Sequence, residues 1–316
     1  MDVEAVKGIL RGPMIPVITN LNADLSIDHA AIGANVRHVV EHGIVTWHGA
    51  LLAVGAGGDF PMLTVAERKA VARTIVEAAD GKVPVLVGAQ DTHLDVCIEM
   101  ARWAEEIGAY GIQLAPPHYY TPSDDDVVRW FQAVHDATER AAIMVYNTWW
   151  EGYEMSLEQV ERLVRLERCM SLKWSTPTGA GSYMRGVARF ADRMAVVCNQ
   201  GMYVMNHLLG GTGYVTHLAT VWSEHDLGVW GLMEAGDYKG AQARICAVNW
   251  PWYEFRCTMA GRTGGESPTV KAALELCGRP GGPCRAPSRS LTRDERDELR
   301  GVLARIGVPN VQEATP

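Results

Sequence analysis

The sequence has no run of basic residues: 29 lysines and arginines are outnumbered by 37 aspartates and glutamates, for a formal charge of −8. That balance argues against the broad cationic face with which nucleic-acid-binding proteins meet phosphates. Long apolar runs are missing too. The first residues, MDVEAVKGILRGPM, interrupt any apolar stretch with charge, which reads against a signal peptide or a membrane span there. Seven cysteines occur, at 97, 169, 198, 246, 257, 277 and 284, and none forms a C-x-x-C pair. Such a set reads as reduced thiols of a cytoplasmic protein, most of them small core residues, rather than as disulfides or a zinc site. The glycine-rich stretch Gly55-Ala-Gly-Gly-Asp59 is neither G-x-x-x-x-G-K-S/T nor G-x-G-x-x-G, so it carries no phosphate-loop signature.

What is present is a repeated phrase: a short apolar run, a polar or glycine-rich joint, then an amphipathic helix. The strand expectations are 13–19, 50–54, 83–87, 111–114, 142–146, 170–173, 194–197 and 213–216. Helices are expected at 28–42, 64–79, 92–107, from 123, from 156, at 180–190 and from about 201, with capping boxes at Thr64-x-x-Glu67 and Ser156-x-x-Gln159. Eight such units in about 200 residues predict a (β/α)8 TIM barrel over residues 1–217. Residues 218–316 read as helices alone, at 223–235, 237–255, 267–277 and 292–306, a C-terminal helical extension packed on the barrel. An open, doubly wound parallel sheet has the same periodicity and is the competing architecture.

In a barrel the site forms at the C-terminal ends of the strands, which directs attention to Lys173 and Tyr146. Each ends an apolar run, and the two runs are consecutive. A lysine partly withdrawn from water there becomes a nucleophile toward carbonyls, and a neighbouring phenol can shuttle protons. Either residue could equally be an ordinary strand-end side chain. The backbone N–H groups of the Gly55–Asp59 loop could cradle a carboxylate. Lys271 in the helical extension reads as structural, His29, His38 and His42 as solvated or capping residues, and His48 and His118 as the histidines nearest the mouth.

Taken in order, these motifs resemble the dihydrodipicolinate synthase and N-acetylneuraminate lyase family over nearly the whole chain. Val54-Gly-Ala-Gly-Gly-Asp59 with Leu63-Thr64 and Glu67-Arg68 is similar to the family's G-T/S-T/x-G-E loop and L-T-x-x-E-R helix start. Pro117-His-Tyr119-Tyr-Thr-Pro122, Val145-Tyr146-Asn147, Leu172-Lys173, Leu208-Leu-Gly-Gly-Thr-Gly213 and Gly282-Pro-Cys-Arg-Ala-Pro287 match family segments in the same order, and Tyr146 and Lys173 lie 27 residues apart. The resemblance implies a class I aldolase or lyase without cofactor or metal, in which Lys173 forms a Schiff base with pyruvate or a related 2-oxo acid and Tyr146 moves protons. It further implies that the Ala56 and Gly57 amides hold the carboxylate, that Tyr119 reaches a neighbouring subunit's site in a homotetramer, and that Asn147, Asn199 and Val215 line the pocket.

The departures bear on substrate. Ala56 and Gly57 stand where the family carries hydroxyls, and a threonine restored at 57 is expected to have a modest effect on turnover. Asp59 replaces the usual glutamate, Trp149 replaces the proline of Y-N-x-P with Trp150 following it, and Glu151 stands where the synthase branch keeps an arginine. The partner aldehyde is therefore expected to be apolar, aromatic or cationic. The alternatives are a sugar-acid hydro-lyase of the same family and a catalytically reduced ligand-binding barrel.

Overall fold

Strands covered on both faces read as continuous apolar runs, and the strands of this chain do so. The computed structural model describes residues 2–313, apart from the side chain at 151. Its strands are β1 (Gly12–Pro16), β2 (Ala50–Ala53), β3 (Val85–Gly88), β4 (Gly111–Leu114), β5 (Ala142–Tyr146), β6 (Cys169–Trp174), β7 (Ala195–Cys198) and β8 (Gly213–Val215). They close in sequence order into a barrel, with β8 pairing parallel to β1, so the open-sheet alternative is excluded. Each strand except β8 is buried throughout.

The helices are α1 (Val3–Ile9), α2 (His29–Glu41), α3 (Val65–Ala79), α4 (Leu94–Glu106), α5 (Asp124–Asp136), α6 (Leu157–Leu163), α7 (Ala180–Phe190) and α8 (Tyr203–Leu208). They continue with α9 (Leu218–Val221), α10 (Ser223–Glu234), α11 (Tyr238–Arg244), α12 (Trp250–Thr263), α13 (Ser267–Leu276) and α14 (Arg293–Ile306). The expected capping boxes form at the starts of α3 and α6, and two more form at Ser123 and Thr292. In each, a side-chain oxygen and a carboxylate or amide satisfy N–H groups that the first turn leaves without carbonyls.

Three elements differ from the sequence reading. Helix α1 is unanticipated: Asp2 caps it, and Val6 and Leu10 bury themselves against Met14, Leu52, Leu86 and Met144 at the heart of the barrel core. Residues 17–19 lie beyond the end of β1, where Thr19 Oγ1 donates to the Gly58 carbonyl at 2.7 Å. The helix expected over 237–255 is broken into α11 and α12 by one π turn at Ile245–Asn249. Pro251, second in α12, lacks the N–H that would continue the ladder into that turn.

The residues fall into two compact units. One comprises residues up to 14, 45–52 and 81–215; the other comprises 15–44, 53–80 and 216 onward. The first has the core just described. The second has its own, in which Ile18 and Leu218 pack with Trp252 and Met259 of α12, Leu274 of α13 and Leu303 of α14.

Candidate active site

Lys173 is the penultimate residue of β6, and in the parallel register it lies directly beside Tyr146 on β5. Its side chain is 5% exposed and Tyr146 is 4% exposed. The Lys173 Nζ lies 4.1 Å from the centroid of the Tyr146 ring and donates a hydrogen bond to Gln113 Oε1 on β4 at 3.0 Å. Gln113 is wholly buried, and its amide nitrogen donates to Gln90 Oε1 at 3.4 Å. The structure thus brings together the lysine and phenol singled out in the sequence and adds, beside the strand-end Gln90, the Gln113 amide that the sequence reading missed. The signal for Gln113 was available: it is a polar residue inside the apolar strand Gly111-Ile-Gln-Leu114.

After β5 the chain makes one short 3-10 turn, Trp149–Glu151, set between a β-bridge from Thr148 to Tyr153 and closed by Gly152 at φ 110°. That left-handed conformation is open to glycine without strain. The turn carries an aromatic wall: the Trp150 ring meets Tyr146 edge-on at 5.8 Å, and Trp149 meets Trp150 edge-on at 5.3 Å. Both tryptophans remain exposed, leaving apolar faces uncovered. The Glu151 side chain lies outside the described part of the structure.

Other site candidates have varied surroundings. Asn147 is wholly buried and spent on architecture, donating to the Ser175 carbonyl at 2.7 Å and accepting from Met155 N at 2.9 Å. Asn199 is half-buried, its N–H bonded to the Trp174 carbonyl at 2.9 Å, and the Val215 carbonyl accepts from Tyr203 Oη at 3.4 Å. Tyr119 has φ 82° and is 84% exposed, its ring edge-on to Tyr120 at 5.2 Å. The buried His118 Nδ1 has no hydrogen-bond partner among the described residues.

The glycine-rich loop belongs to the second unit. Ala56–Gly58 form a 3-10 turn, with Gly58 N and Asp59 N bonded to the Gly55 and Ala56 carbonyls. Ala56 and Gly57 open that turn, the positions whose N–H groups a helical turn leaves without an internal carbonyl. Asp59, at φ 61°, anchors the loop: it accepts from Ser267 Oγ at 2.5 Å and pairs with Lys271 Nζ at 3.1 Å. Gly57 is covered by His217, a residue the sequence reading passed over although it lies two residues beyond β8. A Cβ at 57 would stand 2.6 Å from His217 Nε2, so a threonine there must displace the imidazole. His217 is 8% exposed, its Nε2 3.3 Å from Glu266 Oε2, and Arg256 holds the other oxygen of Glu266 at 3.1 Å.

A (β/α)8 barrel with a buried lysine at the C-terminal end of its sixth strand, beside a tyrosine on the fifth, defines the class of protein. The Dihydrodipicolinate synthetase family model matches residues 9–306, and the chain belongs to that family, a family of lyases. It is similar to a DapA-like lyase of Halobacterium salinarum, 29% identical over 95% of each chain. It is also similar to a "probable 5-dehydro-4-deoxyglucarate dehydratase" of Ralstonia nicotianae, 30% identical over 92% of this chain and 91% of the relative. Among solved structures, it resembles YagE of E. coli K12, of the dihydrodipicolinic acid synthase family and in complex with pyruvate, with a TM-score of 0.81. That likeness has 23% identity over 94% of this chain and 99% of the other, and shows the fold.

No helix among the described residues is long and apolar enough to cross a membrane. No group of three or more His, Cys, Asp or Glu there is arranged to hold a metal ion.

Proposed function

We propose that the protein is a cytoplasmic class I aldolase or lyase that forms a Schiff base between Lys173 and pyruvate or a related 2-oxo acid. The observation that carries this reading is the buried Lys173 amine, 4.1 Å from the Tyr146 ring centroid and hydrogen-bonded to an amide. In the proposed sequence Nζ attacks C2 of the oxo acid, and the carbonyl electron pair moves to oxygen, which takes a proton. That oxygen leaves as water, and a protonated imine remains. The Tyr146 phenol supplies a proton to that departing oxygen. When a 4-hydroxy-2-oxo acid is held as the imine, the resulting phenolate takes the C4 hydroxyl proton, the C3–C4 electron pair enters the imine to give an enamine, and the aldehyde departs. Protonation of C3 and addition of water to C2 release the oxo acid and the free amine. Synthesis is the reverse.

In this reading the Ala56 and Gly57 amides hold the carboxylate, and Val215 and Asn199 line the pocket. Tyr119 serves a neighbouring subunit in a homotetramer, which its exposure in a single chain supports. The partner aldehyde is apolar, aromatic or cationic. Trp149 and Trp150 offer indole faces for stacking or for a cation, and Glu151 repels carboxylates. A second reading, elimination of water from a sugar acid through the same imine, draws support from the Ralstonia nicotianae relative.

The experiment that separates them is product analysis: pyruvate is incubated with a panel of aldehydes, and separately sugar acids are supplied alone. The aldolase reading expects carbon–carbon products, with aromatic aldehydes used more efficiently than aspartate semialdehyde. Water loss from a sugar acid with no aldehyde exchange contradicts it, and a preference for aspartate semialdehyde contradicts the assignment of the aromatic wall.

A further inference from the structure

An amide in the middle of a buried strand is costly unless both its ends are bonded, typically by about 1–3 kcal/mol for each group left without a partner. Gln113 meets that demand at both ends, in one orientation of the amide. Its oxygen receives the Lys173 amine from β6, across the Tyr146 ring on the intervening β5, and its nitrogen is engaged by Gln90, two residues beyond the end of β3. The Gln90 oxygen therefore fixes which end of Gln113 faces the lysine.

We propose that Gln113, steadied by Gln90, is a positioning residue for Lys173: its neutral amide oxygen aims the amine while favouring the ammonium form far less than a carboxylate there would. The inference rests on the Schiff-base reading above. An ammonium ion has no lone pair to give, and a carboxylate within 4–6 Å would stabilise it. An uncharged acceptor instead takes one N–H and leaves the lone pair directed elsewhere. Once the imine has formed, its remaining N–H can be held by the same oxygen. Tyr146 on β5 is a titratable side chain set against this amine, while the β7 residue in register with Lys173 is Val197.

The test is the pH dependence of borohydride trapping with pyruvate, followed by mass spectrometry of the Lys173 peptide, in wild type, Gln113→Glu, Gln113→Met and Gln90→Met. Gln113→Glu places a carboxylate beside the amine and is expected to move the midpoint of the trapping profile up by about one to three pH units. Gln113→Met is expected to trap roughly 10-fold or more slowly through lost orientation, with no upward shift. Gln90→Met is expected to slow trapping in the same direction by less. Thermal melting of each variant reports folding independently. If Gln113→Glu folds and its profile coincides with that of wild type, the inference is overturned while the imine stands. If Gln113→Glu does not fold, Gln90→Met decides, and an unchanged trapping rate overturns the inference. A wild type that is not trapped on Lys173 overturns the imine reading and this inference with it.

Discussion

Among the described residues two lysines are buried, one in each compact unit, and their surroundings differ in kind. Lys271, 1% exposed, meets the Asp59 carboxylate at 3.1 Å and donates to the Pro283 carbonyl at 3.2 Å. Lys173 meets an amide oxygen and the face of a phenol ring. A buried amine with a carboxylate against it is compensated as an ion, and its role is to tie α13 to the left-handed turn at Asp59. An amine bonded to an amide oxygen is oriented by that acceptor without a carboxylate's full charge. In the Schiff-base reading, burial alone does not distinguish a structural lysine from a reactive one; the carboxylate against Lys271 and the amide against Lys173 do.

The comparison predicts opposite consequences for removing each side. On the Lys173 side, Tyr146→Phe is expected to slow turnover by roughly 10²- to 10⁴-fold, the scale of a positioned acid–base group, with an unchanged melting temperature. Steady-state kinetics beside calorimetry checks this, and a near-normal rate would move proton transfer to another group, with His118 next in line. On the Lys271 side, Lys271→Met leaves the Asp59 carboxylate buried without its cation. It is expected to cost about 3–5 kcal/mol of stability in denaturant titration, as breaking a buried pair generally does. If Lys271→Met instead retains full stability, the pair is not what fixes the glycine loop.

Gly57→Thr sharpens the comparison within the second unit. Its side chain must push the His217 imidazole aside, so it is expected to lower the melting temperature, with His217→Ala restoring part of the loss. The smallest effect concerns Glu67 in α3. The Arg285 guanidinium beside it holds its carboxyl down, at about 2. A carboxyl lowered on folding contributes stability that is present above its unfolded value near 4.5 and is lost as pH falls toward 2. Glu67→Gln should therefore melt lower than wild type at pH 6, by on the order of 1 kcal/mol after solvent screening, and the gap should close by about pH 2.

Much of this organisation was legible in the residues. All eight strands fall where apolar runs are bounded by glycines or polar joints, because a strand buried on both faces has no other way to read. Capping boxes located the starts of α3 and α6, and the pairing of Tyr146 with Lys173 followed from each ending a consecutive strand. What was hidden depended on contacts distant in sequence. Asp59 meets Lys271 across 212 residues, and Gly57 meets His217 across 160. Neither partner carries a local motif. Helix α1 was hidden for another reason: its charges at 2, 4 and 7 drew attention away from the Val6–Leu10 spacing that buries one face.

The difference between the two lysines is the central claim, and one measurement meets it directly: the wild-type protein is reduced with borohydride in the presence of pyruvate, digested and mapped by mass spectrometry. The account predicts a pyruvate-derived adduct on the peptide containing Lys173 and an unmodified Lys271. An adduct on Lys271, or no adduct on Lys173 under conditions that label a known family member, would contradict it.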